Sequence, residues 1–333
     1  MADKGYTKLK LLYIKDYLER NSDEDTPVSA DELMEMLNEK GIECERKSIY
    51  SDIKALKQYG VDIISVRNPK AGYCICSRDF ELPEVRLLVD AVQSANFITA
   101  KKSKELIEKI GGLCSHSQYE YINKQVFIDN PMKCTNEEIY YNIDKISQAI
   151  QRSKQISFTY RKRILDEQTD EIETAEKQLV VSPYAMIWSN DHYYLVGNNS
   201  KYDNLMHTRI DRMKKVEICE ERARSFSEVS PYKAFFDSAD YSGKIFNMFS
   251  GDNQKLKIIC DNSIIEEILD RFPTAKLTST KDEEKFELGC SCVVSEGLVS
   301  WIMQFGSKIQ VVKPESLRQD ILTRAQEILK QYE

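Results

Sequence analysis

The sequence holds only three histidines, His116, His192 and His207, and no apolar run long enough to span a bilayer. Nine cysteines are scattered through it. An odd number in a long chain reads as reduced, mostly buried thiols and not as a disulfide framework. None falls in the Cys-x2–4-Cys spacing of a zinc site. The two close pairs, Cys74-x-Cys76 and Cys290-x-Cys292, place both thiols on one face of a strand, as neighbouring small hydrophobes. A structural metal is therefore not expected. The chain also lacks a Gly-rich phosphate loop, a paired-carboxylate signature and a metal-ligand cluster, so it does not read as an enzyme and no cofactor is expected. The first residues, Met-Ala-Asp-Lys-Gly, carry no signal-peptide h-region, and a cytoplasmic location is the default expectation. Cations are not in excess either: the formal charge is −7. Any contact with nucleic acid must come from a local basic patch, with the acidic remainder facing elsewhere.

What is present is an ordinary globular composition, 41% hydrophobic and 30% charged, in 333 residues, a length that suits two to three domains. Near the N-terminus Leu9, Leu11, Leu12, Ile14 and Leu18 form a helical stripe that ends near Asn21. After a polar loop, Ser29-Ala30-Asp31-Glu32 is a capping box for a short helix bearing Leu33, Met36 and Leu37, stopped by Gly41. Ile49, Ile53 and Leu56 recur at i, i+4, i+7 in a third helix that runs to Tyr59 and stops at Gly60. Two helices joined by a tight Gly-containing turn follow the helix-turn-helix plan. Val61 to Val66, a turn at Asn68-Pro69-Lys70-Ala71-Gly72, and Tyr73 to Cys76 then make a β-hairpin wing.

Residues 1–77 thus read as a winged helix-turn-helix. Its third helix would expose Arg46, Lys47, Ser48, Tyr50, Ser51 and Lys54, with Arg67 and Lys70 on the wing. Arg46 and Lys47 suit base edges or phosphates, and Ser48 and Tyr50 suit phosphate. A winged helix used for protein contacts is the alternative. The cations on the helix and wing favour DNA, because phosphate neutralisation carries most of the affinity.

A small helical region follows, with Leu82 to Asn96 apolar at helical spacing and a second helix capped by Thr99 and closed by Gly111-Gly112. Ile139, Ile143, Ile146 and Ile150 then mark a helix ahead of the strand Ile156 to Tyr160. The basic run Arg161-Lys162-Arg163 sits at that strand's end, where it is either solvated surface or the rim of an anion site. From Ser182 to Arg212 comes a strand pair. Tyr193-Tyr194-Leu195-Val196 enters a turn at Gly197 to Ser200, and the next strand alternates Met206, Thr208 and Ile210 with His207 and Arg209. Period-two alternation puts His207 and Arg209 on one face, with Arg212 just beyond. Guanidinium groups pair with carboxylate and phosphate through two parallel hydrogen bonds, so this face suits an anion. A plain hairpin with a solvated basic face fits the same pattern. Beyond Ser250 the order strand, helix, strands, helix, strand, helix suggests a split-βαβ sandwich.

Three of these segments resemble one regulator family. The run Arg46-Lys47-Ser48-Ile49-Tyr50-Ser51-Asp52-Ile53, with Leu56, Gly60 and Gly72-Tyr73, resembles the DeoR-like winged helix that precedes WYL domains. There the run usually reads Arg-Thr-Ile-x-Arg-Asp-Ile; Lys47 and Ser48 replace Arg-Thr, and Ser51 replaces the second Arg. Tyr193-Tyr194-Leu195 resembles the Trp-Tyr-Leu triplet of the WYL domain, a small Sm-like β-barrel module of bacterial regulators. Arg209-Ile210-Asp211-Arg212-Met213 resembles its closing Arg-x-x-Arg-Ile pattern. Tyr193 keeps an aromatic ring but loses indole area and its donor. Trp301 to Gly306, Val311-x-x-Pro314 and Leu317-Arg318 resemble the WCX extension.

The resemblance implies a multidomain α+β protein. Residues 1–77 would be the winged helix-turn-helix DNA-binding domain and 78–135 a helical linker that helps hold a dimer. Residues 136–222 would be an Sm-like β-barrel WYL domain that binds an effector, 223–250 a linker, and 251–333 a WCX domain built as a ferredoxin-like α/β sandwich. The implied function is ligand-responsive transcription regulation by a homodimer on double-stranded operator DNA. The implied effector is anionic, a nucleotide or short single-stranded nucleic acid being one form, held by Tyr184, Tyr193, His207, Arg209 and Arg212. An accessory factor that binds RNA or single-stranded DNA and modulates a defence nuclease is the alternative.

Overall fold

The computed structural model describes residues 4–68, 70–126, 133–166, 172–189, 191–229 and 252–333, with side chains from Leu9 onward. The chain divides into two compact units, Met1–Thr135 and Asn136–Glu333.

The first unit opens with α1 (Lys4–Asn21), α2 (Ala30–Glu39) and α3 (Arg46–Tyr59), followed by the hairpin β1 (Ile63–Val66) and β2 (Gly72–Ile75). Local chemistry sets these boundaries. At the start of α2 the Ser29 hydroxyl accepts from the Glu32 amide and the Glu32 carboxylate accepts from the Ser29 amide, so the capping box is complete. Helix α3 stops at Gly60, whose φ of 111° is the left-handed conformation that glycine adopts without a Cβ penalty. The hairpin is antiparallel, and Val28 adds a bridge to Tyr73. A Cβ on Gly72 would lie 2.7 Å from the Val28 carbonyl oxygen, so the bridge needs glycine there. Ile14, Leu18, Leu33, Leu37, Ile49, Ile53 and Ile75 fill the core beneath the three helices.

Helices α4 (Leu82–Ser94) and α5 (Ala100–Gly111) follow, with Thr99 capping α5 as its position suggests. Helix α6 (His116–Asn123) was not foreseen. It is eight residues long, buries only Ile122, and so shows no apolar period; its signal was the Ser115/Gln118 capping box.

In the second unit α7 (Ile139–Gln151) leads into β3 (Lys154–Leu165), β4 (Ile172–Ser189), β5 (His192–Asn198), β6 (Met206–Arg209) and β7 (Met213–Arg222). All pairings are antiparallel, in the order β6-β5-β4-β3-β7. Helix α7 buries Ile139, Ile146 and Ala149. The side-chain amides of Asn136 and Asn142 both donate to the Met213 carbonyl (2.9 and 3.0 Å), and Lys145 donates to that of Val216 at 2.7 Å.

A closed barrel was expected here, and the sheet is not closed: β6 and β7 are its two edges and do not pair with each other. Strand β6 has only four residues before the chain turns through a 3-10 segment at Ile210–Arg212, which leaves no run of backbone to complete the ladder. The basic run also sits differently from the expectation. Arg161 to Arg163 lie within β3 and not at its end, and Arg161 pairs with Glu176 on β4 at 2.7 Å.

Helix α8 (Phe226–Val229) falls in the stretch expected to be linker, and residues 230–251 lie outside the described residues. Then come β8 (Asp252–Asp261), α9 (Ile265–Arg271), β9 (Lys276–Ser279), β10 (Lys285–Val294), α10 (Glu296–Met303), β11 (Ile309–Lys313) and α11 (Glu315–Tyr332). The sheet order β11-β8-β10-β9 with helices after β8 and β10 is the split-βαβ layout. Its core gathers Leu256, Ile258, Cys260, Leu288, Leu298 and Ile302, with Trp301 set edge-on against Phe272 and Phe305. Among the described residues no helix is long and apolar enough to cross a membrane, and no group of three or more His, Cys, Asp or Glu side chains could hold a metal.

Candidate functional site

Two separate regions carry the side chains singled out above, one in each unit. In the first, the buried stripe Ile49, Ile53 and Leu56 turns the opposite side of α3 to solvent. Arg46, Lys47, Tyr50, Ser51 and Lys54 are exposed there, as are Arg67 and Lys70 on the wing. Ser48 differs: it is half-buried, and its hydroxyl accepts from the Lys10 ammonium at 2.6 Å. Lys10 is itself buried on α1 and also pairs with Asp52 of α3. A single cation thus ties two side chains of the third helix to the first. Sequence reasoning missed it because one polar residue within an apolar stripe shows no partner until the helices cross.

Two of the exposed cations are already occupied by α2. Arg46 donates to Asp31 at 2.9 Å, and Lys70 reaches both Glu32 oxygens at 2.8 and 2.9 Å. Burial alone would raise the Glu32 carboxyl, but Lys70 and the Ser29 amide and hydroxyl hold it down to about 2. Exposed pairs of this kind are worth roughly 0–1 kcal/mol. Both cations can therefore exchange a carboxylate for a phosphate at small cost, while Lys47 and Lys54 add charge to the same helix.

In the second unit the register of β5 on β6 decides which side chains meet. Tyr194 lies opposite Arg209 and Val196 opposite His207. His207, Arg209, Tyr194 and His192 therefore share one face. Tyr193 is on the other face, opposite Trp188 of β4, with ring centroids 5.8 Å apart. Tyr184 is elsewhere again. Its ring packs edge-on against Phe226 at 5.2 Å, and burial pushes its hydroxyl up to about 12 despite nearby Arg224. Of the five expected effector residues, then, the register joins His207 and Arg209 with Arg212 following, and it parts Tyr193 and Tyr184 from them.

Electrostatics refine this group further. Burial drives the His207 imidazole down to about 4, so at neutral pH it is uncharged and cannot act as a cation. Burial opposes the charge on Arg209 too, but Asp211 restores it through a two-pronged contact, 3.1 Å to Nε and 2.7 Å to Nη2. His192 is lowered by burial and then by Arg209, with a smaller push from Arg212. Tyr194 is raised by burial, which the same two arginines partly offset, and Tyr160 of β3 in turn acts on both Arg209 and Tyr194. The resulting cluster is Arg209, Arg212, Asp211, His192, Tyr194 and Tyr160. It offers one exposed guanidinium, one held in place by a carboxylate, and two phenol hydroxyls. Guanidinium and phenol groups of this kind can pair with an anion, and tyrosine rings can lie against a flat group. His192, Tyr194 and Tyr160 were missed, because alternation assigns faces within a strand and not between strands.

Family models match three stretches of the chain: an HTH domain over residues 15–74, a WYL domain over 141–218 and a WCX domain over 252–329. No curated protein matches. Among solved structures, proteasome accessory factor B/C (PafBC) of Arthrobacter aurescens is 15% identical with a TM-score of 0.25, covering 97% of this chain and 46% of its own. A CRISPR Cas-related protein is 14% identical with a TM-score of 0.37, covering 98% and 83%. With a helix-turn-helix domain, a WYL domain and a WCX domain in that order, the chain has the architecture of WYL-domain transcription regulators.

Proposed function

We propose that this protein is a homodimeric transcription regulator that reads double-stranded operator DNA with α3 and the wing and senses an anionic effector in its WYL domain. The observation that carries the reading is the exposed cationic side of α3 within a matched HTH domain. Arg46, Lys47 and Lys54 face bases and phosphates in the major groove, and Arg67 and Lys70 reach the flanking backbone. The effector sits against Arg209 and Arg212, with Tyr194 and Tyr160 beside it. It shifts the protein between two arrangements of unequal operator affinity, so effector and operator affinities are coupled reciprocally. The helix α7 followed by five strands in the order β7-β3-β4-β5-β6 supports an Sm-like module whose edge is left open. The protein acts by binding and not by catalysis.

The test is selection of genomic duplex fragments by the full chain. Lys54→Ala and Arg46→Ala are expected to lose the selected fragments and to lower the salt dependence of binding by about one counterion each. Retention of every fragment by both variants would sink the α3 assignment.

One observation favours the alternative of an accessory factor that binds RNA or single-stranded DNA. Trp188 is 48% exposed beside Tyr193, the two rings tilted by 39°, and exposed aromatic faces of this kind accept unpaired bases. Binding of a short fluorescent single strand that survives Arg46→Ala and Lys54→Ala but is lost in Trp188→Ala would support that reading over duplex recognition.

A further inference from the structure

The two Cys-x-Cys pairs of this chain sit in different surroundings. At the base of the wing the Cys74 and Cys76 sulfurs are 3.9 Å apart. Cys74, on β2, is fully buried, and Cys76, just past the strand, is exposed. The backbone around them is held on both sides. The Cys76 amide donates to the Asp62 carbonyl at 3.1 Å and the Ile75 amide to the Ser22 hydroxyl at 3.2 Å. Arg78 donates to the Glu19 and Ser22 carbonyls at 2.8 and 2.7 Å. A disulfide needs its sulfurs about 2.05 Å apart, and closing the gap that far would shift the backbone these bonds fix. A cation about 2.3 Å from each sulfur, the usual zinc–thiolate distance, instead spans the gap at an angle of about 116° with no movement.

We infer that Cys74 and Cys76 form a binding site for a soft, thiophilic metal ion of low coordination number, with monovalent copper as its representative. Thiolate ligands select such ions over hard ones. Zinc in a closed site takes four protein ligands, and among the described residues no group of three or more His, Cys, Asp or Glu side chains is assembled to hold a metal. An ion satisfied by two thiolates and one small ligand from solvent fits this pair. The buried sulfur fixes its inner side, and the exposed sulfur gives it a way in. Both cysteines coordinate as thiolates, so the two thiols give up their protons as the ion binds. The carboxylates of Glu24 and Asp23 act on Cys74, and their sign favours a cation beside it. The second pair lacks these features. Cys292 is buried in the WCX core and Cys290 is half-buried against it. The Arg271 guanidinium acts on both of those sulfurs, and its sign opposes a cation.

The experiment is anaerobic titration of the reduced full chain with monovalent copper held by bicinchoninate, whose coloured complex fades as the protein takes the ion. The variants are Cys76→Ser and, as a control in the second pair, Cys290→Ser. Neither side chain is fully buried, so far-UV circular dichroism should match wild type. The expected result is one tight equivalent for wild type and Cys290→Ser, and affinity at least tenfold weaker for Cys76→Ser. Undiminished affinity in Cys76→Ser, or an equal loss in Cys290→Ser, overturns the site, as does a wild type that takes no copper from the competitor. Iodoacetamide labelling, read by peptide mass spectrometry, tests the unaltered chain. Copper should shield Cys76, and a chelator should restore its alkylation. Alkylation unchanged by copper, or a block relieved only by a reductant and therefore a disulfide, overturns the site as well.

Discussion

His207 makes the second unit sensitive to acid. Its imidazole has an ordinary value near 6.5 and is driven by burial to about 4 in the folded chain. Between those values the unfolded chain binds a proton that the folded chain does not, so stability rises with pH there. The neutral histidine's contribution is fully present above pH 6.5 and is lost as pH falls through 6.5 towards 4. At 1.36 kcal/mol per unit the full contribution is about 3 kcal/mol, of which about 2 kcal/mol disappears between pH 7 and pH 5. That window lies mostly above the carboxylate range, so it isolates imidazole. Urea unfolding followed by tryptophan fluorescence reads the correct part of the molecule, because both tryptophans, Trp188 and Trp301, lie in the second unit. His207→Gln keeps a polar side chain and removes the titration. It should lose far less stability than wild type between pH 7 and pH 5, with a smaller residual slope from His192. Equal losses in the two proteins would refute the burial argument.

Two substitutions probe the packing that positions the two regions. Lys10→Met leaves Asp52 and Ser48 without their shared cation and should cost about 3 kcal/mol in thermal or urea unfolding of the first unit; a loss below about 1 kcal/mol would show that the third helix is not held this way. Gly197→Ala places a Cβ 2.5 Å from Val181 Cγ1 and 2.9 Å from the Ser182 carbonyl oxygen, and should destabilise the second unit by about 1–3 kcal/mol, read by the same fluorescence melt.

Much of the first unit was legible in the sequence because its signals are local. The Ser29/Glu32 capping box, the Ile49-Ile53-Leu56 stripe and the Gly60 stop each act within one or two helical turns, and each appears where its spacing places it. The common face of His207 and Arg209 was also legible, since both belong to one strand and alternation settles it. What could not be read was everything that depends on two elements meeting. Tyr194 joins Arg209, and Tyr193 does not, because strand register is a property of two strands together. The first helix reaches the third through Lys10 because the two cross, and no spacing along the chain encodes that. The closure expected of the sheet depended on whether its edge strands meet, and β6 is too short for that. His207 shows the same limit in its charge: residue type allows it to be a cation at neutral pH, and only burial by the packed chain makes it neutral. Caps and periodicity therefore determined most helices of this protein. Tertiary structure decided the neighbours and the ionisation of its site, because both depend on long-range contacts that local sequence does not specify.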